Sequence, residues 1–352
     1  MEKISNNICT IYIDDSYKNF KETLNLKDDY DCVLVLTDTN VYNTQGHKFI
    51  KSLDSKIVYE YIVNPGEGAK SIDIYEKIIE YCVKINLSRK SLLISLGGGV
   101  IGDLGGFIAS TYMRGIDFVQ VPTTLLAQVD SSIGGKTGIN IGNFKNIIGT
   151  FYQPKLTYIN SQALETLSDE EFKSGMSEVI KYSLIYDYDF LDYLIENSKA
   201  ILNKDKEKIY YVVKKCANIK AEVVGKDEKE GGLRKILNFG HTFGHGVEKL
   251  CHISHGFAVS IGMNMAFKLS LKENLINKEY YEKFLKVCTS YDLPLEFEEI
   301  EANRVLYMMK SDKKNSFSKI NLVLPVGLGK VDIIDTIEEE KILDVIKECR
   351  NA

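Results

Sequence analysis

A chain of 352 residues that is 44% hydrophobic and 26% charged holds enough apolar material for a sizeable core and is no disordered polymer. Its net charge of −5 argues against the basic face of a nucleic-acid binder, while leaving room for a local basic pocket around an anionic metabolite. No apolar run approaches the roughly 20 residues that span a bilayer, residues 1–7 lack an apolar signal core, and the seven cysteines, with no C-x-x-C pair, read as reduced thiols of a cytoplasmic protein.

The length suggests two domains. Short β-branched runs at 8–13, 32–36, 57–62, 92–96, 118–121 and 156–159 alternate with helix-like stretches. The clearest of these is 71–84, where Ile72, Tyr75, Ile78, Ile79 and Cys82 share one face. Strands separated by helices predict a parallel sheet in an α/β layer. The pattern changes near Leu167, where Ser168 and Glu171 have capping-box spacing. Helices are then expected over 168–181, 187–202, 204–226, 239–251, 256–274, 278–291 and 301–310, with a strand at 320–325 and a last helix at 336–349. The implied architecture is an α/β, Rossmann-like nucleotide-binding domain over 1–165 and a mainly helical domain over 166–352, with the active site expected in the cleft between them.

Residues 97–103, Gly-Gly-Gly-Val-Ile-Gly-Asp, follow one of the apolar runs and open a small-residue helix pattern. A strand, a glycine turn and a helix start can bring backbone amides against a pyrophosphate, because glycine tolerates positive φ and close approach. G-x-G-x-x-G alone is weak evidence, and Asp117, the nearest later acid, is too close for the usual ribose partner. Asp38, at the end of the 32–36 run, is the better partner for a ribose hydroxyl.

Four of the five histidines lie in the helical half. His241 and His245 stand at i and i+4 on one helix face, with His252 and His255 at a turn between helices. They are either hydrogen-bonded core residues or metal ligands, and the H-x-x-x-H pattern lacks the acid of a zincin. Glu178, among apolar neighbours and three residues before Lys181, is either a third ligand or half of an ordinary ion pair. Gly134-Gly135-Lys136-Thr137 invites a P-loop reading, which fails because position 130 is Asp130 rather than glycine. What remains is a glycine-rich loop with Lys136, Lys145 and Asn146, to which Arg114 and Arg234 add cationic donors for a phosphate or carboxylate.

Taken together, 97–103, 112–115, 121–138, 177–181, 237–245 and 311–314 closely resemble the 3-dehydroquinate synthases of the shikimate pathway, which feeds aromatic amino acid biosynthesis. The resemblance implies an enzyme that converts 3-deoxy-D-arabino-heptulosonate 7-phosphate to 3-dehydroquinate and phosphate. In that family NAD takes a hydride from carbon 5, phosphate leaves by β-elimination, the hydride returns, and an aldol step closes the ring, so the net reaction is that of a lyase. By similarity Glu178, His241 and His255 bind a divalent metal, zinc first and cobalt second. Lys136, Lys181, Asn238 and Arg234 grip hydroxyls and carboxylate, Lys220 holds the carboxylate side, and Asp130 orients a cofactor or substrate group. Arg114, Lys145, Asn146, His245 and one of Lys313 and Lys314, with Lys314 preferred, face the phosphate. For NAD, the resemblance implies Gly98, Gly99, Val100 and Asp103 at the pyrophosphate, and Asp38 and Asn40 at the adenosine ribose. It also puts Glu67 and Lys70 in the adenosine region, Thr123, Thr124, Thr166 and Leu167 along the nicotinamide half, and Lys136 and Lys145 within reach of the cofactor. A homodimer is expected, with neither nucleic acid nor membrane as partner.

One departure stands out. The family commonly reads His-Gly-Glu where this chain has His255-Gly256-Phe257. The rival readings are another sugar-phosphate cyclase similar to 2-deoxy-scyllo-inosose synthase and an NAD-dependent polyol dehydrogenase similar to glycerol dehydrogenase.

Overall fold

The computed structural model describes residues 1–142, 144–298, 300–310 and 320–351. The chain divides into two compact units, Met1–Ser168 with Ile209–Lys229, and Asp169–Lys208 with Glu230–Ala352. In chain order the strands of the first unit are β1 (Glu2–Ser5), β2 (Thr10–Asp14), β3 (Val33–Asp38), β4 (Val58–Val63), β5 (Leu92–Gly97), β6 (Asp117–Pro122), β7 (Lys136–Ile141), β8 (Phe144–Phe151) and β9 (Leu156–Asn160).

Seven of them form one sheet in the order β1-β2-β9-β6-β5-β3-β4, parallel throughout except for the β1–β2 pair. Parallel strands need crossovers: the helix Gly99–Thr111 links the neighbours β5 and β6, and Ile72–Lys84 links β4 to β5 across β3. Alternate residues go to opposite faces. Leu34, Leu36, Leu93 and Phe118 pack with Ile78, Cys82, Leu104 and Ile108 on one side. Val33, Val35, Ile94 and Val119 pack with Phe20, Phe49 and Tyr158 on the other. A sheet covered on both faces explains why its strands read as continuous apolar runs. Ile72 departs from the expected buried face: it is exposed, because the contact of its helix with this core begins only at Ile74.

Strand order reverses between β3 and β5, since β4 lies outside β3 while β5 and β6 run to its other side. In open α/β sheets, ligands bind beyond the carboxyl ends of the strands at such a reversal. Residues 136–140, expected in a glycine-rich loop, instead lie in β7, which pairs antiparallel with β8. The helix Lys206–Lys226, expected with the helical half, belongs to the first unit from Ile209 onward. Asn6 Nδ2 donates to Ala221 O at 2.8 Å, Lys214 pairs with Glu2 at 2.7 Å and Lys220 with Asp130 at 2.7 Å, contacts too distant in sequence for local pattern to reveal.

The second unit is mainly helical, with the hairpin Leu322–Gly327 and Lys330–Ile334 beside it. Its central helix, His255–Lys272, is buried over most of its circumference, and Phe267 stacks on Phe284 of the helix Lys278–Ser290 at 4.3 Å.

Candidate functional site

In the first unit, the residues expected at a dinucleotide gather at the carboxyl ends of the parallel strands. Asp38 ends β3, and its Oδ1 accepts from the amides of Asn40 and Val41 at 2.9 and 3.0 Å, capping the turn that follows. Gly98, Gly99 and Val100 follow β5 and open the helix Gly99–Thr111, whose first amides have no partner within the helix. Thr123 and Thr124 follow β6, with the Thr123 amide on Gly97 O at 3.0 Å. Thr166 and Leu167 end the turn after β9, and Glu67 and Lys70 follow β4.

None of the turn glycines from Gly97 to Gly106 has positive φ, so backbone freedom is not why they are there. Close packing is. A Cβ on Gly102 would lie 2.7 Å from Gln120 Oε1, and one on Gly98 would lie 2.9 Å from Thr124 Cγ2. The buried hydroxyls of Thr123 and Ser131 beside this turn have no hydrogen-bond partner, which suits a polar ligand there.

A charged cluster lies next to it. Buried Lys70 donates to Asp103 Oδ2 at 2.7 Å and to Asn146 Oδ1 at 2.5 Å, with Glu67 at 3.8 Å. Burial pushes the Asp103 carboxyl above its ordinary value, opposed by the Lys70 and Lys136 charges. Asn140, unremarked in the sequence, donates to Glu67 Oε1 at 2.8 Å and accepts from the Asn146 amide at 2.8 Å. Asn146, expected at the phosphate end, thus sits against Lys70, a residue expected at the cofactor. Lys136 and Lys145 are exposed, as is Arg114, held in a turn where Met113, Arg114 and Gly115 all have positive φ.

In the second unit, Glu178 on the helix Asp169–Ile185, His241 at the start of the helix His241–Cys251 and His255 at the start of His255–Lys272 converge. Glu178 Oε1 lies 3.4 Å from His241 Nε2 and 3.7 Å from His255 Nε2. Close helix packing sets this up: a Cβ on Gly256 would run into Ser174 O, so only glycine lets His255 approach the Glu178 helix this closely. The Glu178 carboxylate is completely buried, and although Lys181 forms an ion pair with its Oε2, neither oxygen has a hydrogen-bond partner. A fully desolvated carboxylate facing two imidazole nitrogens is a donor set that fits a divalent cation. Burial disfavours a charged His255, yet the nearby Glu178 carboxylate and the Glu248 carboxylate bonded to its Nδ1 raise its pKa to about 9.

His245 lies beside this group, its ring 5.5 Å from that of His241 and 6.1 Å from that of His255. Glu248, which the sequence reading passed over, places Oε2 2.9 Å from His255 Nδ1. Its signal was present: it lies seven residues after His241 and so on the same helix face. Lys181 is buried and donates to Leu237 O at 3.0 Å, Arg234 is buried, and Asn238 donates to Glu230 at 2.6 Å. Lys313 and Lys314 lie outside the described residues.

Known proteins resemble the chain along nearly its whole length. Profiles described as 3-dehydroquinate synthase N-terminal and 3-dehydroquinate synthase C-terminal match residues 60–174 and 175–315. A 3-dehydroquinate synthase of Caldanaerobacter subterraneus subsp. tengcongensis is 47% identical over 319 residues, 89% of each chain. One of Alkaliphilus metalliredigens is 43% identical over 313 residues, 88% of each. Among solved structures, the 2-epi-5-epi-valiolone synthase ValA of Streptomyces hygroscopicus subsp. jinggangensis, with NAD+ and Zn2+ bound, has TM-score 0.89 at 23% identity, covering 99% of this chain and 98% of its own. A 2-deoxy-scyllo-inosose synthase with carbaglucose-6-phosphate, NAD+ and Co2+ has TM-score 0.90 at 22% identity, covering 99% of both. At these identities the two structures speak for the fold.

Proposed function

The chain belongs to the 3-dehydroquinate synthase family, and from that membership we propose that it converts 3-deoxy-D-arabino-heptulosonate 7-phosphate to 3-dehydroquinate and phosphate as a phosphate-eliminating lyase. The observation that carries the reading is the convergence of Glu178, His241 and His255 in a chain that also bears a dinucleotide-type strand-end turn.

When bound, NAD supplies a hydride acceptor that later returns the hydride, and a divalent cation, zinc before cobalt, supplies a Lewis acid for the vicinal hydroxyls. Glu178, His241 and His255 would hold the cation. The amides at Gly98, Gly99 and Val100 would hold the pyrophosphate, with Lys70 and Asp103 bonded to each other. Asp38, whose Oδ1 takes the Asn40 and Val41 amides, would meet the adenosine ribose with Asn40. Glu67 lies with the adenosine region, and Thr123, Thr124, Thr166 and Leu167 line the nicotinamide half.

On the substrate, Lys136, Lys181, Arg234 and Asn238 grip hydroxyls and carboxylate, while Glu230 fixes the amide of Asn238. Lys220, held by Asp130, takes the carboxylate side. Arg114, Lys145, Asn146, His245 and one of Lys313 and Lys314 stabilise the charge that develops on the phosphate as it departs.

The protein is further proposed to be a cytoplasmic homodimer. All seven cysteines are free thiols, six of them buried, which supports a reducing compartment. Phe144, Ile147 and Phe151 stand exposed on β8, which supports a protein partner for that strand. No helix among the described residues is long and apolar enough to cross a membrane.

The test offers the heptulosonate phosphate and glucose 6-phosphate separately, each with NAD and zinc. Phosphate release from the first alone is expected. Turnover of glucose 6-phosphate alone would replace the reading with a 2-deoxy-scyllo-inosose-type cyclase, and NADH accumulating with product would replace it with a polyol dehydrogenase.

A further inference from the structure

Two groups of potential ligands overlap at His255: Glu178, His241 and His255, and His245, Glu248 and His255. Distances separate them. Two ligands on a tetrahedral zinc, each about 2.0–2.1 Å from the ion, lie about 3.3 Å apart. The spacings of Glu178 Oε1 from the two Nε2 atoms, 3.4 and 3.7 Å, are close to that. The 2.9 Å between Glu248 Oε2 and His255 Nδ1 is instead the length of a charge-assisted hydrogen bond.

The two imidazoles are also backed differently. His241 Nδ1 lies 3.0 Å from the neutral Phe239 carbonyl, whereas His255 Nδ1 lies against a carboxylate that is only 12% exposed. Acceptors at both Nδ1 atoms keep a proton there and leave each Nε2 lone pair turned toward Glu178. We propose that Glu248 is a positioning residue of the metal site, holding the Nδ1–H of His255 so that its Nε2 meets the cation shared with Glu178 and His241. The role rests on the metal reading above. It also means that Phe257, where the family commonly has glutamate, leaves His255 with a carboxylate partner. A ligand imidazole backed by a carboxylate is a stronger donor than one backed by a carbonyl, and loss of such backing typically weakens metal binding about 10–100-fold.

The test measures zinc affinity by chelator competition and the visible spectrum of the cobalt-loaded protein, neither of which needs substrate. NAD affinity serves as the control for folding. Glu248→Gln keeps the shape and a hydrogen-bond acceptor but removes the charge. It is expected to weaken zinc about 10–100-fold and to shift the cobalt spectrum, with Glu248→Asp recovering part of both and NAD affinity unchanged. Glu178→Gln is expected to abolish the site. Unchanged zinc affinity and cobalt spectrum in Glu248→Gln overturn the role. Abolition by Glu248→Gln with retention by Glu178→Gln overturns it in favour of the second group. Wild-type protein that binds no zinc overturns the metal reading itself, and this role with it.

Discussion

The Lys70 ammonium lies 2.7 Å from the Asp103 carboxylate, tying the segment after β4 to the helix that opens at the glycine turn. The lysine is almost fully buried, so removing it strands a carboxylate that burial already disfavours. Lys70→Met is expected to raise the NAD dissociation constant by about tenfold or more, with metal content unchanged. Titration by fluorescence or calorimetry checks it, and an unaltered dissociation constant would remove Lys70 from the cofactor set.

His255→Ala is expected to remove metal and activity together, because the remaining two donors leave the buried Glu178 charge poorly compensated. Metal content after dialysis and phosphate release are measured on the same preparation. A metal-free but active variant contradicts the ligand assignment.

Lys136→Ala should lower turnover by about 100-fold or more while NAD affinity changes little, if the ammonium acts on substrate. Its charge is felt at Asp103, so the alternative is concrete. Equal loss of NAD binding and turnover would move Lys136 to the cofactor.

Asp14 anchors the sheet end. Burial opposes its charge, but Tyr158 Oη donating at 2.8 Å, the Asp15 amide and Asn19 outweigh it, and its pKa falls below the ordinary 3.8. A depressed carboxyl pKa contributes stability that is fully present above the unfolded value and lost as pH falls through the folded one. Asp14→Asn should therefore cost about 1–2 kcal/mol at neutral pH and flatten the stability profile below pH ~4. Urea melts of both proteins across this range check the sign. A variant that keeps the wild-type acid slope places that slope elsewhere.

The core sheet was legible because residues such as Leu34, Val35, Leu93 and Ile94 are buried on both faces and give unbroken apolar runs. The β7–β8 pair was not: β8 is exposed along most of its length, and Gly134, Gly135 and Gly138 read as loop. His241 was readable on a helix face and His255 at the turn between two helices, yet their meeting with Glu178 depends on helices in contact at Gly256 and Ser174, which no local periodicity encodes. Glu248 was missed for a related reason. Its spacing from His241 was visible, but its partner lies on the next helix, beyond a turn in which His252 takes the left-handed conformation. The place of the helix Lys206–Lys226 in the first unit likewise rests on contacts such as Asn6 with Ala221, 215 positions apart.

The central claim is that the cation held by Glu178, His241 and His255 serves a phosphate elimination with no net redox change. Its most direct test follows phosphate, 3-dehydroquinate and NADH together from the heptulosonate phosphate, with chelator and after adding zinc or cobalt back. The expected result is phosphate equal to product, abolished by the chelator, restored by the metal, with no lasting NADH. Phosphate release that ignores the chelator, or NADH accumulating in step with product, would contradict it.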